Sequence, residues 1–412
     1  MRFPLLPFSS STQDLRPYLA LKDTERESMT LFLQNLIRTP SPSAQEQDVA
    51  ALIQKELRSV GVEDVFVDRV GNVIGRLGDG NGPALLLNAH MDTVQPAATG
   101  WPYDPYAAVI QDGVIYGLGA CDMKGAIAAM VYAAGRLVDA RVPLHGTLVL
   151  AFVVQEEPCE GYALKVLVEE EGIRPDWVVL GEPSDLQIMR GHRGRVLYRI
   201  TVQGRSSHAS SPELGDNAIM AAARLIFGID LLAGEMGEDP FLGPGSITVT
   251  HIQSQSASLN AIPDTCSFYV DRRLTLGETA TRAQAQIEGI IQREGIDATM
   301  EVVEYQATSY KGYPFYGRQA FNSWTLEENH PLIQALSAIV RGVQGRNPAV
   351  GAWTISTDGA YSMGEANIPT VGFGPGKPEH AHTVSDQVRL DDVAQAAQVY
   401  AALAEKLLGS NR

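Results

Sequence analysis

Apolar residues recur at Met29, Phe32, Leu33, Leu36 and Ile37, a three-to-four spacing that predicts a helix with one buried stripe. Ser43 and Glu46 have the spacing of a capping box and predict a second helix ending near Gly61. Short continuous apolar runs then appear at 84–87, 147–154 and 177–180. Runs of that length, rich in Val and Leu, suit strands buried on both faces. Segments at about 124–138 and 160–171 between them read as helices. Strand–helix alternation predicts an α/β fold with a mostly parallel sheet and helices on both faces.

The pattern changes near residue 194. Val196, Tyr198, Ile200 and Val202 alternate with Leu197, Arg199, Thr201 and Gln203, as in a strand with one exposed face. Asp216 is placed to cap a helix carrying Ile219, Ala222, Leu225, Ile226 and Ile229. Strands at about 246–252 and 265–273, a helix at 279–292 and a strand at 297–304 complete the order β-α-β-β-α-β. That is the order of a ferredoxin-like split unit. The expected organisation is therefore a first part of an α/β domain at 1–193, an inserted α+β domain at 194–307, and the second part of the α/β domain at 308–412. The last part carries a helix at 331–343, a strand at 368–373 and a helix at 391–408, while 306–324 has no period and reads as an irregular connector.

Chemistry-bearing residues recur just past the strands. His90 and Asp92 follow the first run, Glu156 and Glu157 the second, Glu182 the third, and His382 the strand near 371. In open α/β sheets ligands bind outside the carboxyl ends of the strands, so parallel strands bring these places to one edge. Asp122 adds a carboxylate where a helix begins, and a helix N-terminus favours the ionised form. Alone, His90 or His382 reads as structural and the glutamates fit either reading; their agreement at separate strand ends is what points to function. Two carboxylates ending an apolar run are costly unless charge-paired. Imidazoles plus carboxylates without thiolates suit zinc, and also cobalt or manganese. Two His and the three carboxylates Asp122, Glu157 and Glu182 hold two ions if one carboxylate bridges. Cys121 and Cys159 flank these residues, and packing is their expected role.

These stretches resemble the co-catalytic zinc peptidase and deacylase superfamily that contains aminoacylase, acetylornithine deacetylase, succinyl-diaminopimelate desuccinylase and carboxypeptidase G. The resemblance rests on Asn88-Ala89-His90-Met91-Asp92-Thr93-Val94, Tyr116-Gly117-Leu118-Gly119-Ala120-Cys121-Asp122-Met123-Lys124-Gly125, Gln155-Glu156-Glu157, Gly181-Glu182-Pro183-Ser184 and His380-Ala381-His382-Thr383. Glu156-Glu157 followed by Cys159, and Gly215-Asp216-Asn217-Ala218-Ile219, look closest to the YgeY-like hydrolase branch. The resemblance implies that His90 and Glu182 hold one zinc, Glu157 and His382 the other, and that Asp122 bridges with a cis peptide to Met123. It implies that Asp92 accepts a hydrogen bond from His90 and orients it, and that Glu156 is the general base. His208 would stabilise the oxyanion, often from the partner subunit, and Asn260 and Arg273 would contact the substrate carboxylate and its surroundings. Arg suits a planar carboxylate, and the neighbouring Arg272 is the alternative. Two positions depart from the pattern: Leu118 stands where an Arg is common, and Asp386 where a Glu often follows the metal His.

The implied activity is hydrolysis of an N-acyl amino acid, since Glu at position 182 accompanies acylases and carboxypeptidases. Cleavage of a dipeptide or of a C-terminal residue is the alternative, and a non-catalytic binding protein on the same fold is the remote one. A homodimer through the inserted domain is implied as well. Composition narrows the partners. A net charge of -16 disfavours nucleic acid and anionic membrane as partners. Three scattered cysteines, a 1–7 stretch broken by Pro4 and Pro7, and no long apolar run suggest a cytoplasmic protein that spans no membrane. A dinucleotide fingerprint fails, because Asp122 stands where Gly117-x-Gly119 needs its third glycine.

Overall fold

The computed structural model describes residues 19–409, so the 1–7 stretch lies outside the described residues. The larger sheet has nine strands. At its centre Thr147–Val153, Ala84–His90, Trp177–Leu180 and Thr370–Gly372 lie side by side in that order, all parallel. Nearly every residue of these strands is buried, so both faces are covered. Helices Gly125–Asp139 and Leu390–Leu408 pack on one another and against Ala84–His90 and Thr147–Val153. The flanks are mixed. Val73–Leu77 runs antiparallel to both Thr147–Val153 and Asp64–Val67. At the other edge Ile188–His192 pairs in parallel with Val350–Trp353 and antiparallel with Trp324–Thr325. These flanking strands have two to five residues, too few to show a period in sequence.

A second sheet joins Ser246–Gln255, Thr265–Leu274, Gly194–Gln203 and Ala298–Val302, with Ala320–Phe321 added on Gly194–Gln203. Val196, Tyr198, Ile200 and Val202 are fully buried, and with helices Ala218–Ala233 and Ala280–Glu294 they form a hydrophobic cluster separate from that of the larger sheet.

Two helix starts differ from expectation. The second helix runs Gln47–Ser59 with Glu46 as its cap, and the Ser43 hydroxyl donates to Asp92 Oδ2 at 2.7 Å instead of capping. The cap of Ala218–Ala233 is Asn217, whose side chain accepts from Met220 N, while Asp216 pairs with Arg205. In both cases a side chain with capping chemistry found another partner; Asn217 took over as cap from Asp216, while Glu46 opens its helix with no side-chain cap bond. The stretch read as an irregular connector contains a hairpin, Glu304–Thr308 with Pro314–Arg318. Tyr305, Tyr310 and Tyr313 of this hairpin pack on the larger core. Ala320–Phe321 and Trp324–Thr325 then join the two sheets in turn, so this segment stitches them together.

Candidate metal centre

The four central strands deliver their carboxyl ends to one edge. His90 ends its strand, Glu157 follows Val153, and Glu182 follows Leu180. Asp122 lies in the tight turn between Gly119 and the helix Gly125–Asp139, and its peptide to Met123 is cis. His382 sits beyond the Pro378–His380 turn with φ 58°, a left-handed conformation. One ligating atom each from His90, Asp122 and Glu182 lies within 4.8 Å of the others, and so do atoms from Asp122, Glu157 and His382. Asp122 belongs to both sets. Its Oδ1 is 3.0 Å from His90 Nε2 and its Oδ2 is 3.3 Å from His382 Nε2. Glu157 Oε2 lies 3.0 Å from the same His382 nitrogen, and Glu182 Oε1 lies 3.9 Å from His90 Nε2.

The electrostatics follow from crowding. Burial raises the Glu182 carboxyl well above its usual range, and the neighbouring Asp122 adds to this. Burial likewise raises Glu157. Asp122 is pushed up by burial but pulled further down by hydrogen bonds from His382 and His90, so it is held below the carboxylate range. Hydrogen bonds to Asp122 and Glu157 raise His382 to about 10. Burial lowers His90, but Asp122 and Glu182 outweigh it and leave the imidazole raised. Acid outnumbers base here, and Glu157 Oε1 is buried with no hydrogen-bond partner. A pair of divalent cations offsets such an excess of buried negative charge, and the nitrogen and oxygen donors are those such ions accept. The residues present therefore fit a two-metal centre.

Outside the cage, other side chains hold its loops. Asp92 is fully buried, and its carboxylate accepts from Glu156 N at 3.1 Å and Glu157 N at 3.2 Å. His90 Nδ1 meets the main-chain carbonyl of Asp92 at 2.9 Å, while the carboxylate oxygen is 3.8 Å away. The expected His90 contact thus falls on the backbone of Asp92, and the carboxylate fixes the loop of the two glutamates. Asp386 accepts from Gly119 N and Cys121 N at 2.6 and 2.8 Å, clamping the turn that presents Asp122. Lys124 is buried and donates to the Leu36 and Thr39 carbonyls. Cys121 and Cys159 are buried free thiols, and Cys121 Sγ contacts the Lys377 carbonyl at 3.2 Å.

Glu156 is buried beside the cage, and burial together with Glu182 raises its carboxyl well above the usual range. Arg273 donates twice to Asp271, from Nε at 2.7 Å and Nη2 at 3.3 Å. Arg272 points elsewhere, with its side chain 1% exposed and paired with Glu278, which removes it as the alternative. His208 and Asn260 are exposed and bonded locally: His208 Nδ1 lies 2.7 Å from Ser210 Oγ, and Asn260 Oδ1 accepts from Ser258 at 2.6 Å. The structure brings the five cage residues and Glu156 together and leaves these two on the second unit. It also adds residues the sequence reading missed. Glu160 and Asp358 lie near Glu156, and each affects its charge. Asp358 opens a short helix just past Val350–Trp353, the same strand-end signal that marked the other sites.

Sheet and cage together fit the class of metal-dependent hydrolases. Residues 86–406 match peptidase family M20/M25/M40, and the chain belongs to that family. It is 37% identical over 400 residues to "Uncharacterized protein YgeY" of Escherichia coli K12, covering 97% of each chain. It is 29% identical over 398 residues to the succinyl-diaminopimelate desuccinylase of Alkalilimnicola ehrlichii, covering 93% of this chain and 100% of that one. Among solved structures, the M20 family metallo-carboxypeptidase Sso-CP2 of Sulfolobus solfataricus superposes with a TM-score of 0.75 at 17% identity, over 94% of this chain and 99% of that one. The Bacillus subtilis YXEP protein, described as a dinuclear metal-binding peptidase of the M20 family, gives 0.69 at 18% identity, over 94% and 99%. Among the described residues no helix is long and apolar enough to cross a membrane.

Proposed function

We propose that this chain is a cytoplasmic two-zinc amidohydrolase that releases the acyl group from an N-acyl amino acid. The observation that carries the reading is the pair of ligand sets sharing Asp122 at the carboxyl ends of adjacent parallel strands, with Glu156 alongside. The likeness to a desuccinylase supports deacylation. The likeness to a carboxypeptidase structure keeps peptide cleavage as the second reading. Three free buried cysteines agree with a reducing compartment.

His90, Asp122 and Glu182 would hold one ion, and Asp122, Glu157 and His382 the other. Bound there, the ions supply Lewis acidity toward the scissile carbonyl and lower the pKa of a water toward neutrality. Glu156, buried beside the cage, would take a proton from the attacking water and deliver it to the leaving nitrogen. Arg273 and Asn260 bind the substrate carboxylate, and His208 offsets the charge that develops on the carbonyl oxygen. Closure of the second unit over the cage, or contribution from a partner subunit, brings His208 to the reacting carbonyl.

A homodimer through the second unit fits its surface. Met220, Phe227 and Leu231 are each about three-fifths exposed along one helix. Sedimentation should give twice the chain mass of 44.5 kDa, and Phe227→Asp with Leu231→Asp should return it to one chain. The function itself is tested by adding zinc, cobalt or manganese to the metal-free chain across N-acetyl and N-succinyl amino acids and dipeptides. Release of the acyl acid supports the deacylase, release of two amino acids supports the peptidase, and hydrolysis of neither overturns both.

A further inference from the structure

Beside the cage lies a second group of polar and charged side chains contributed by four separate stretches of the chain. Glu160 comes from the loop after Glu156 and Glu157, Ser356 and Asp358 from the turn after Val350–Trp353, and Arg195, Asp271 and Arg273 from the second sheet. Both arginines pair with Asp271. Arg195 Nε and Arg273 share the Asp271 carboxylate, and Arg195 Nη1 reaches Glu160 Oε1 only at 3.5 Å. The acids keep spare capacity. Glu160 Oε1 accepts from Ser356 Oγ at 2.8 Å, yet Oε2 is buried and unpartnered on a side chain only 8% exposed. Asp358, 2% exposed, accepts from Gly161 N at 2.6 Å through Oδ1, and its Oδ2 is likewise buried and unpartnered.

Glu160 and Gly161 are adjacent in the chain, so these two carboxylates share one support. Both act on Glu156, and Asp358 also acts on Glu182 and is acted on by His90, so the pair stands at the wall of the cage. A buried carboxylate oxygen without a partner is costly, and burial raises both carboxyls, Asp358 to about 7, so a cation beside them would favour their ionised forms. An ammonium group has three donors, no acceptor and one positive charge, which matches two unpartnered carboxylate oxygens.

We propose that Glu160 and Asp358 form a subsite for a primary ammonium group of the substrate, so that the preferred substrate is cationic next to the bond that is cut. The proposal rests on the hydrolase reading above and narrows its substrate class. The ammonium has two sources: the side chain of an N-acylated diamino acid, or the free α-amine of a dipeptide.

Kinetics on the metal-loaded full chain separate the sources. One arm compares N-acetyl-L-ornithine with N-acetyl-L-norvaline, and the other compares glycyl-L-norvaline with N-acetyl-L-norvaline. The cationic member of one arm should exceed its neutral counterpart in kcat/KM by about tenfold or more, the scale of a charged hydrogen bond. Glu160→Gln, which keeps the shape and the Ser356 contact, should narrow that preference by raising KM for the cationic member. Equal kcat/KM within both arms overturns the subsite while leaving the hydrolase standing. So does a fall of both members by one factor in Glu160→Gln, which is what a purely structural Arg195–Glu160 bridge would give. Calorimetric binding of L-ornithine against L-norvaline decides the matter even if no substrate turns over. Tighter binding of ornithine, lost in Glu160→Gln, supports the subsite, and equal binding overturns it.

Discussion

Glu156 is the residue on which turnover should depend while structure does not. Its main-chain N–H is tied to Asp92 and its carboxyl lies buried next to Glu182. Glu156→Gln should retain two metal ions per chain by elemental analysis and lower kcat by about 10²–10⁴-fold, the range of a lost general base. Asp386 is the opposite case, since it touches no candidate ion and holds the backbone at Gly119 and Cys121. Asp386→Ala should weaken metal binding by about 10–100-fold, read by competition with a chelating dye, as expected when the support of a ligand is removed. Four of the cage residues were legible in the sequence because each lies past an apolar run, and strand ends in parallel sheets are where sites form, while Asp122 stood out at a helix start. Asp358 shares that strand-end position but follows a short, weakly apolar strand, while Asp386 and Glu160 carry no such signal. Asp386 meets its partners more than 260 positions away in the chain, and only folding makes that contact visible. The Asp92 carboxylate shows the same limit, because the family resemblance pointed it to His90 and the fold gave it the Glu156–Glu157 loop.

At the level of helices and strands, the long elements with a clean period were readable and their ends were not. Leu390–Leu408 and Gly194–Gln203 follow their apolar patterns closely. Caps were decided by competition. Ser43 has the chemistry to cap a helix, but the buried Asp92 carboxylate takes its hydroxyl, and Glu46 satisfies Ala44 N and Gln155 N instead. Asn217 caps Ala218–Ala233 in place of Asp216. Asn217→Ala should therefore cost about 1 kcal/mol in denaturant unfolding, whereas Asp216→Ala, which loses an exposed pair, should cost less than about 0.5 kcal/mol. The hairpin at Glu304–Arg318 was hidden because each of its strands has only five residues, too few for the alternation they show to stand out from a loop.

For the molecule as a whole, the seam between the two sheets sets a pH limit. His192 lies there with both ring nitrogens engaged, by Thr357 Oγ1 and the Asn322 carbonyl, each at 3.0 Å. Burial pushes its pKa down to about 3, so the folded chain keeps it neutral. The unfolded chain takes up the proton nearer the ordinary value of about 6.5, so unfolding is favoured as acid is added. This contribution is complete above about pH 6.5 and is lost progressively toward pH 3, with a slope of about 1.4 kcal/mol per pH unit. Chemical denaturation between pH 7 and pH 4 should show that fall, and His192→Gln should be less stable at pH 7 yet flatter across the range. The second sheet and its helices were visible as a change of period near residue 194, whereas the seam was not, because its contacts join Gly191–Arg195 to residues 320–325 across the whole second unit.

The Asp386 clamp bears on how the protein is born. During synthesis the strand and turn bearing His90 and Asp122 leave the ribosome early, but the carboxylate that secures their shared turn, and the imidazole at 382, emerge only near the end. A nascent chain therefore carries an unfinished and loosely held set of ligands for most of its elongation. Prematurely terminated products should be unable to retain the ions, so metal loading becomes a checkpoint that only finished copies pass.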